Sequence, residues 1–177
     1  MFQKVSSRIL LTAMTCFVLV FASSAPTWAL TILQQNVYSG SKVVNKGGGA
    51  GLKIVQIKDD GVTQVQCSIE SGSLDAYMTE KGITQVTIAC ELTEELVLRD
   101  DGVLYYRLSF HFSPHGAYFT PNPLLLKIKG TKYVSPNTDV WLYDEAGEAV
   151  EGTRYNSADM IKFEIPHFSH YYYDGYY

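Results

Sequence analysis

Residues 160–173 read MIKFEIPHFSHYYY, and this run decides the fold. Ile161, Phe163 and Ile165 alternate with Lys162 and Glu164, the period-two signature of a strand with one buried face. Pro166 has no N–H to give to a ladder, so the strand ends there or lies at an edge. His167, Phe168 and Ser169 follow at once: an imidazole, an apolar anchor and a hydroxyl on consecutive residues.

Upstream the same alternation recurs. Over 103–112, Leu104, Tyr106, Leu108, Phe110 and Phe112 share one face, and Arg107, Ser109 and His111 the other. Further strands are expected over 62–69, 83–92, 124–128 and 139–143, with one beginning at Leu52, a short one over 93–98 and an edge strand over 30–38. Asp59-Asp60-Gly61, the Arg99 to Gly102 run, Ser135-Pro136-Asn137 and the Glu145 to Glu148 run read as turns, the first of them closing a hairpin. Residues 39–51 read as a flexible Gly/Ser-rich turn, since Gly47-Gly48-Gly49 lacks the GK[ST] and helix of a phosphate cradle. Residues 71–82 fit a helical turn or a loop. Short strands separated by turns predict an all-β, mostly antiparallel β-sandwich of one domain. A transmembrane barrel needs strands of ~10 residues with an uncharged lipid face, and these are shorter and irregular.

Residues 1–29 read as a secretory signal peptide. Lys4 and Arg8 precede an uncharged, mostly apolar run over 9–21, and Thr27-Trp28-Ala29 places small residues at a cleavage site after Ala29. The expected mature chain, 30–177, has 148 residues, enough for one domain that buries roughly 70% of its unfolded surface. Its 12 basic and 18 acidic side chains give a net charge of about −6, which argues against nucleic acid as a partner. No later stretch approaches ~20 apolar residues, so no membrane insertion is expected after cleavage. The destination is periplasmic or extracellular.

Cys67 closes the alternating set Val65, Cys67, Ile69, and Cys90 closes Val86, Ile88, Cys90. Both thiols therefore point to the core, and export to an oxidising compartment predicts a disulfide worth roughly 3 kcal/mol, with two separate buried thiols as the other reading. His115, His167 and His170 form a metal set only if the Gly116 turn lies beside the last strand. With no cysteine or carboxylate at ligand spacing, no metal and no cofactor is expected. Tyr171, Tyr172, Tyr173, Tyr176 and Tyr177 offer an aromatic surface for a protein or glycan of the envelope, or else form a frayed end in which Tyr171 and Tyr173 finish the sheet.

The run 108–121, LSFHFSPHGAYFTP, carries a strand, a turn with glycine, an aromatic and a proline before the next strand. With Val140-Trp141-Leu142-Tyr143, the Gly147 turn and the closing His167-Phe168-Ser169, it resembles the "ZU-five"-type β-sandwich of ankyrins, netrin receptors and exported bacterial proteins, over about residues 103–173. In several members of that family an HFS tripeptide is a self-cleavage site. The resemblance thus implies a scissile bond between Phe168 and Ser169, with Ser169 Oγ attacking the Phe168 carbonyl and His167 as general base. His111-Phe112-Ser113 repeats the tripeptide inside an expected core strand, so HFS also arises from packing alone. The leading expectation is a non-catalytic interaction or structural module; the alternative is a domain that cleaves itself once.

Overall fold

The computed structural model describes residues 30–56, 64–130, 133–134, 141–154 and 160–175. The expected leader over 1–29, the turns expected at 59–61 and 135–137, and Tyr176 and Tyr177 lie outside them. The elements are β1 (Leu30–Asn45), β2 (Ala50–Gln56), β3 (Gln64–Ile69), α1 (Asp75–Lys81), β4 (Gln85–Arg99) and β5 (Leu104–Ser113), then β6 (Leu124–Lys129), β7 (Trp141–Asp144), β8 (Ala149–Glu151), β9 (Thr153–Arg154), β10 (Met160–Ile165) and β11 (His170–Gly175). They form two sheets, ordered β1-β4-β5-β11-β7-β8 and β2-β3-β6-β10-β9, with antiparallel pairing throughout. The fold is the all-β sandwich that the alternation predicts.

The core lies between the sheets. Ile161, Phe163 and Ile165 of β10 meet Leu108, Phe110 and Phe112 of β5 there, with Val65, Leu92, Leu126 and Ile128, all buried. β2 and β3 pair as the expected hairpin. β10 belongs to one sheet and β11 to the other, so residues 166–169 are the corner where the chain changes sheets. Pro166 suits that corner because its missing N–H ends the β6–β10 ladder at Ile165.

Several boundaries differ from the sequence reading. β1 does not stop at Tyr38 but runs to Asn45, paired along its length with β4, so the flexible turn shrinks to a few residues around Gly47. The two strands expected over 83–98 are one, β4. Residues 75–81 are helical, with Tyr77 and Met78 buried one turn beyond Leu74 and Gly82 closing the helix at φ 67°. The tail is no frayed end up to Gly175. β11 lies between β5 and β7, and Tyr171 and Tyr173 are core residues.

The expected disulfide is corrected as well. Cys67 on β3 and Cys90 on β4 are free, buried thiols facing each other between the sheets. Facing sheets pack about 10 Å apart, whereas a disulfide holds its Cα atoms about 4.4–6.8 Å apart, so bridging them requires the sheets to pinch together. Burial, then the neighbouring Cys90 thiol, pushes the Cys67 pKa well up.

Candidate functional site

The sheet-changing corner holds the HFS tripeptide against residues 116–119. Phe119 N donates to Pro166 O at 2.9 Å, Phe168 N to Ala117 O at 2.6 Å, and Gly116 N to Phe168 O at 2.9 Å, while His167 bridges Tyr118. The carbonyl of the expected scissile bond thus already accepts an N–H, as in ordinary sheet pairing. Phe168 fills the corner's core, its ring 5.2 Å from Phe112 and 5.0 Å from Phe119. No non-glycine residue among those described has positive φ, so neither Phe168 nor Ser169 stands in a strained left-handed conformation.

The three HFS side chains separate. Ser169 is buried, and its Oγ donates to Glu145 Oε1 at 2.7 Å. The same carboxylate oxygen pairs with His115 Nε2 at 2.9 Å. Glu145 follows β7, the strand beside β11, which brings residues 24 apart in the chain into contact. His115 and then Ser169, with a smaller contribution from the His170 charge, hold the Glu145 carboxyl below the usual range. His167 instead lies beside Tyr171, whose hydroxyl donates to the His167 carbonyl at 2.8 Å and sits 3.5 Å from Nδ1. The base nearest to Ser169 Oγ is therefore a carboxylate and not the expected imidazole. Its lowered pKa makes it a poor proton acceptor at neutral pH.

Beyond this corner a row of side chains crosses the outer face of the six-stranded sheet. Glu91 faces His111 across β4 and β5, and His111 faces His170 across β5 and β11, with ring centroids 3.9 Å apart. Glu91 and His111 also border a shallow trough of about 670 Å³ floored by Ser39, Ser41, Ala89 and Ser113. Of the three histidines weighed for a metal, His115 and His170 approach Glu145 and His167 does not. Among the described residues no group of three His, Cys, Asp or Glu is arranged to hold a metal ion.

The tyrosines divide by strand alternation. Tyr171 and Tyr173 point inward and are buried, and Tyr172 points out and stacks on Tyr143 at 5.7 Å. Of the aromatic surface expected, Tyr172 is the described member that meets solvent. Two residues escaped the sequence reading. Glu145 reads in the sequence only as part of a turn, and Glu94 only as part of the short strand over 93–98, with no face assigned. Glu94 is instead buried, accepting from Asn36 Nδ2 at 2.9 Å and from the Tyr133 hydroxyl. Glu94 continues the unbroken inward series of β4, Val86, Ile88, Cys90 and Leu92, and that position is the signal that marked it.

Comparison with family models, with curated proteins and with solved structures finds no match for this chain.

Proposed function

We propose that the chain is an exported, non-catalytic β-sandwich of the ZU-five-like kind, an interaction or structural module that meets a protein or glycan of the cell envelope and needs no cofactor. The observation that carries this reading is β1. Among the described strands it is an edge strand of 16 residues, and Leu30, Ile32, Leu33, Val37 and Val43 along it are 38–59% exposed. Apolar side chains along an unpaired strand edge are what a partner strand or surface covers, and a protein that stays alone normally hides or charges such an edge. The export-type leader adds the compartment, and the ordinary hydrogen bonding of the HFS corner supports a structural tripeptide.

The test is a photo-crosslinking residue at position 37 in the cells that make the protein. The expected result is an adduct of defined mass in the periplasmic or extracellular fraction; a clean monomer, or a protein retained in the cytoplasm, refutes the reading.

The second reading, self-cleavage, has one geometric point in its favour: a carboxylate 2.7 Å from Ser169 Oγ and an N–H on the Phe168 carbonyl oxygen. In that reaction Oγ bonds to the carbonyl carbon, the C–N bond breaks to free the Ser169 amine, and water hydrolyses the resulting ester. Intact mass decides between the two. The non-catalytic reading expects one chain of 148 residues beginning at Leu30. Loss of the nine residues from Ser169 onward, reversed by Ser169→Ala, establishes cleavage instead.

A further inference from the structure

We propose that the partner of β1 is a second copy of this chain, joined antiparallel edge to edge about a twofold axis at Gln35. This inference rests on the interaction reading above and names its partner. Residues 30–40 read LTILQQNVYSG, which is close to self-complementary when laid against its own reverse. Leu33 falls opposite Val37 of the second copy, Ile32 opposite Tyr38, Thr31 opposite Ser39, and Gln34 opposite Asn36, with Gln35 meeting itself. Apolar residues thus meet apolar ones and uncharged polar residues meet their like, the pairing that stabilises adjacent strands. Leu30 would fall opposite Gly40, but Gly40 already abuts Leu52 and the Lys53 carbonyl of β2, so the pairing runs from Thr31 to Ser39.

Charge permits the pairing. A twofold strand pair sets like against like, so any charged residue near the axis repels its own copy, and β1 carries no charge before Lys42. The expected mature net charge of about −6 opposes association at long range, but the Debye length is about 8 Å at physiological ionic strength. Salt should therefore tighten the dimer. The edge is also long: nine residues at about 3.4 Å each give roughly 31 Å of contact. A register shift between Ile32 and Gln34 leaves Leu33 outside the β4 ladder and half-exposed, free to meet Val37 of the second copy. Pairing across the axis joins two six-stranded sheets into one of twelve strands.

The test is sedimentation velocity with light scattering on the purified mature protein over roughly 1 to 100 μM, the range in which modest interfaces populate. A dimer that grows with concentration and with salt is expected, and a monomer at every concentration overturns the proposal. Val37→Lys should weaken the dimer at least tenfold without unfolding the protein, because Val37 is 59% exposed. Adding Leu33→Glu to Val37→Lys places opposite charges across the axis and should restore it. A double variant that stays monomeric while folded overturns this register. A monomeric wild type that crosslinks through position 37 to a different protein removes the self-pairing and leaves the interaction reading intact, whereas a monomer without any crosslink removes both.

Discussion

Cys67 and Cys90 show how far a residue's type predicts its state. Their inward direction was legible, because each closes an alternating apolar set, and both are buried. Their bonding was not, because it depends on the spacing between two sheets that no local pattern encodes. As thiols walled in on both sides, and with the Cys67 pKa raised chiefly by burial, they should be inert in the native protein. Treatment with a maleimide at pH 7 without reductant should leave both unmodified in the fold and label both in denaturant. Peptide mapping reads the result directly, and a denatured, unreduced chain that refuses the label shows the sulfurs to be bonded. Ser169 gives the same lesson from the polar side. Its place in HFS marked it as notable, but its acceptor, Glu145, became its neighbour only through the adjacency of β7 and β11.

Elements were legible in proportion to the size contrast between their faces. β10 and β5 set Ile, Leu and Phe against Lys, Glu, Ser and His, and their alternation located them within a residue or two. The second half of β1 carries small or polar residues such as Ser39, Gly40 and Ser41, so nothing local announces a strand; its pairing with β4 makes it one. β11 presents tyrosine to both faces, which erases the period altogether. The glycine run between β1 and β2 is the converse case, where a loop signal hid a packing constraint. A Cβ at Gly49 would lie 2.6 Å from Ile69 O and 2.9 Å from Ser71 N, both backbone atoms that cannot swing aside. Gly47, at φ 78°, faces open space. Gly47→Ala should therefore cost about 1–2 kcal/mol for the left-handed backbone alone. Gly49→Ala should cost about 1–3 kcal/mol through forced displacement at the β3 end and should also disturb the β2–β3 register. Urea unfolding measures both costs, and amide exchange at Ser68 and Ile69 separates them: unchanged protection in Gly49→Ala sinks the close-approach account.

For the whole molecule, burial of weak acids between the sheets sets a limit at alkaline pH. Three of the described weak acids have pKa values raised chiefly because burial disfavours the anion: Cys67 from 9.0, and Tyr133 and Tyr171 from 10.0. For Tyr133 the Glu94 carboxylate adds to burial, and for Tyr171 the charges of Asp144 and Glu145 do. In the unfolded chain all three ionise at ordinary values, so above them the unfolded state binds fewer protons than the folded state. Stability is then complete below about pH 9 and falls as pH rises, by at most about 1.4 kcal/mol per pH unit for each group. The acid side runs the other way. The lowered pKa of Glu145 gives stability that is present above 4.5 and lost as pH falls through its folded value, but this carboxylate is half-exposed and solvent screens the effect. Thermal melts from pH 4 to 11 should therefore show a plateau between about 5 and 9 and a steep alkaline fall. Cys67→Ala should remove the part of that fall that begins near pH 9 and leave the part that begins near 10, where the tyrosines take over. A melting temperature that stays flat to pH 11 would mean that these hydroxyls and this thiol reach water in the folded state, and that the two sheets close less tightly than their packing implies.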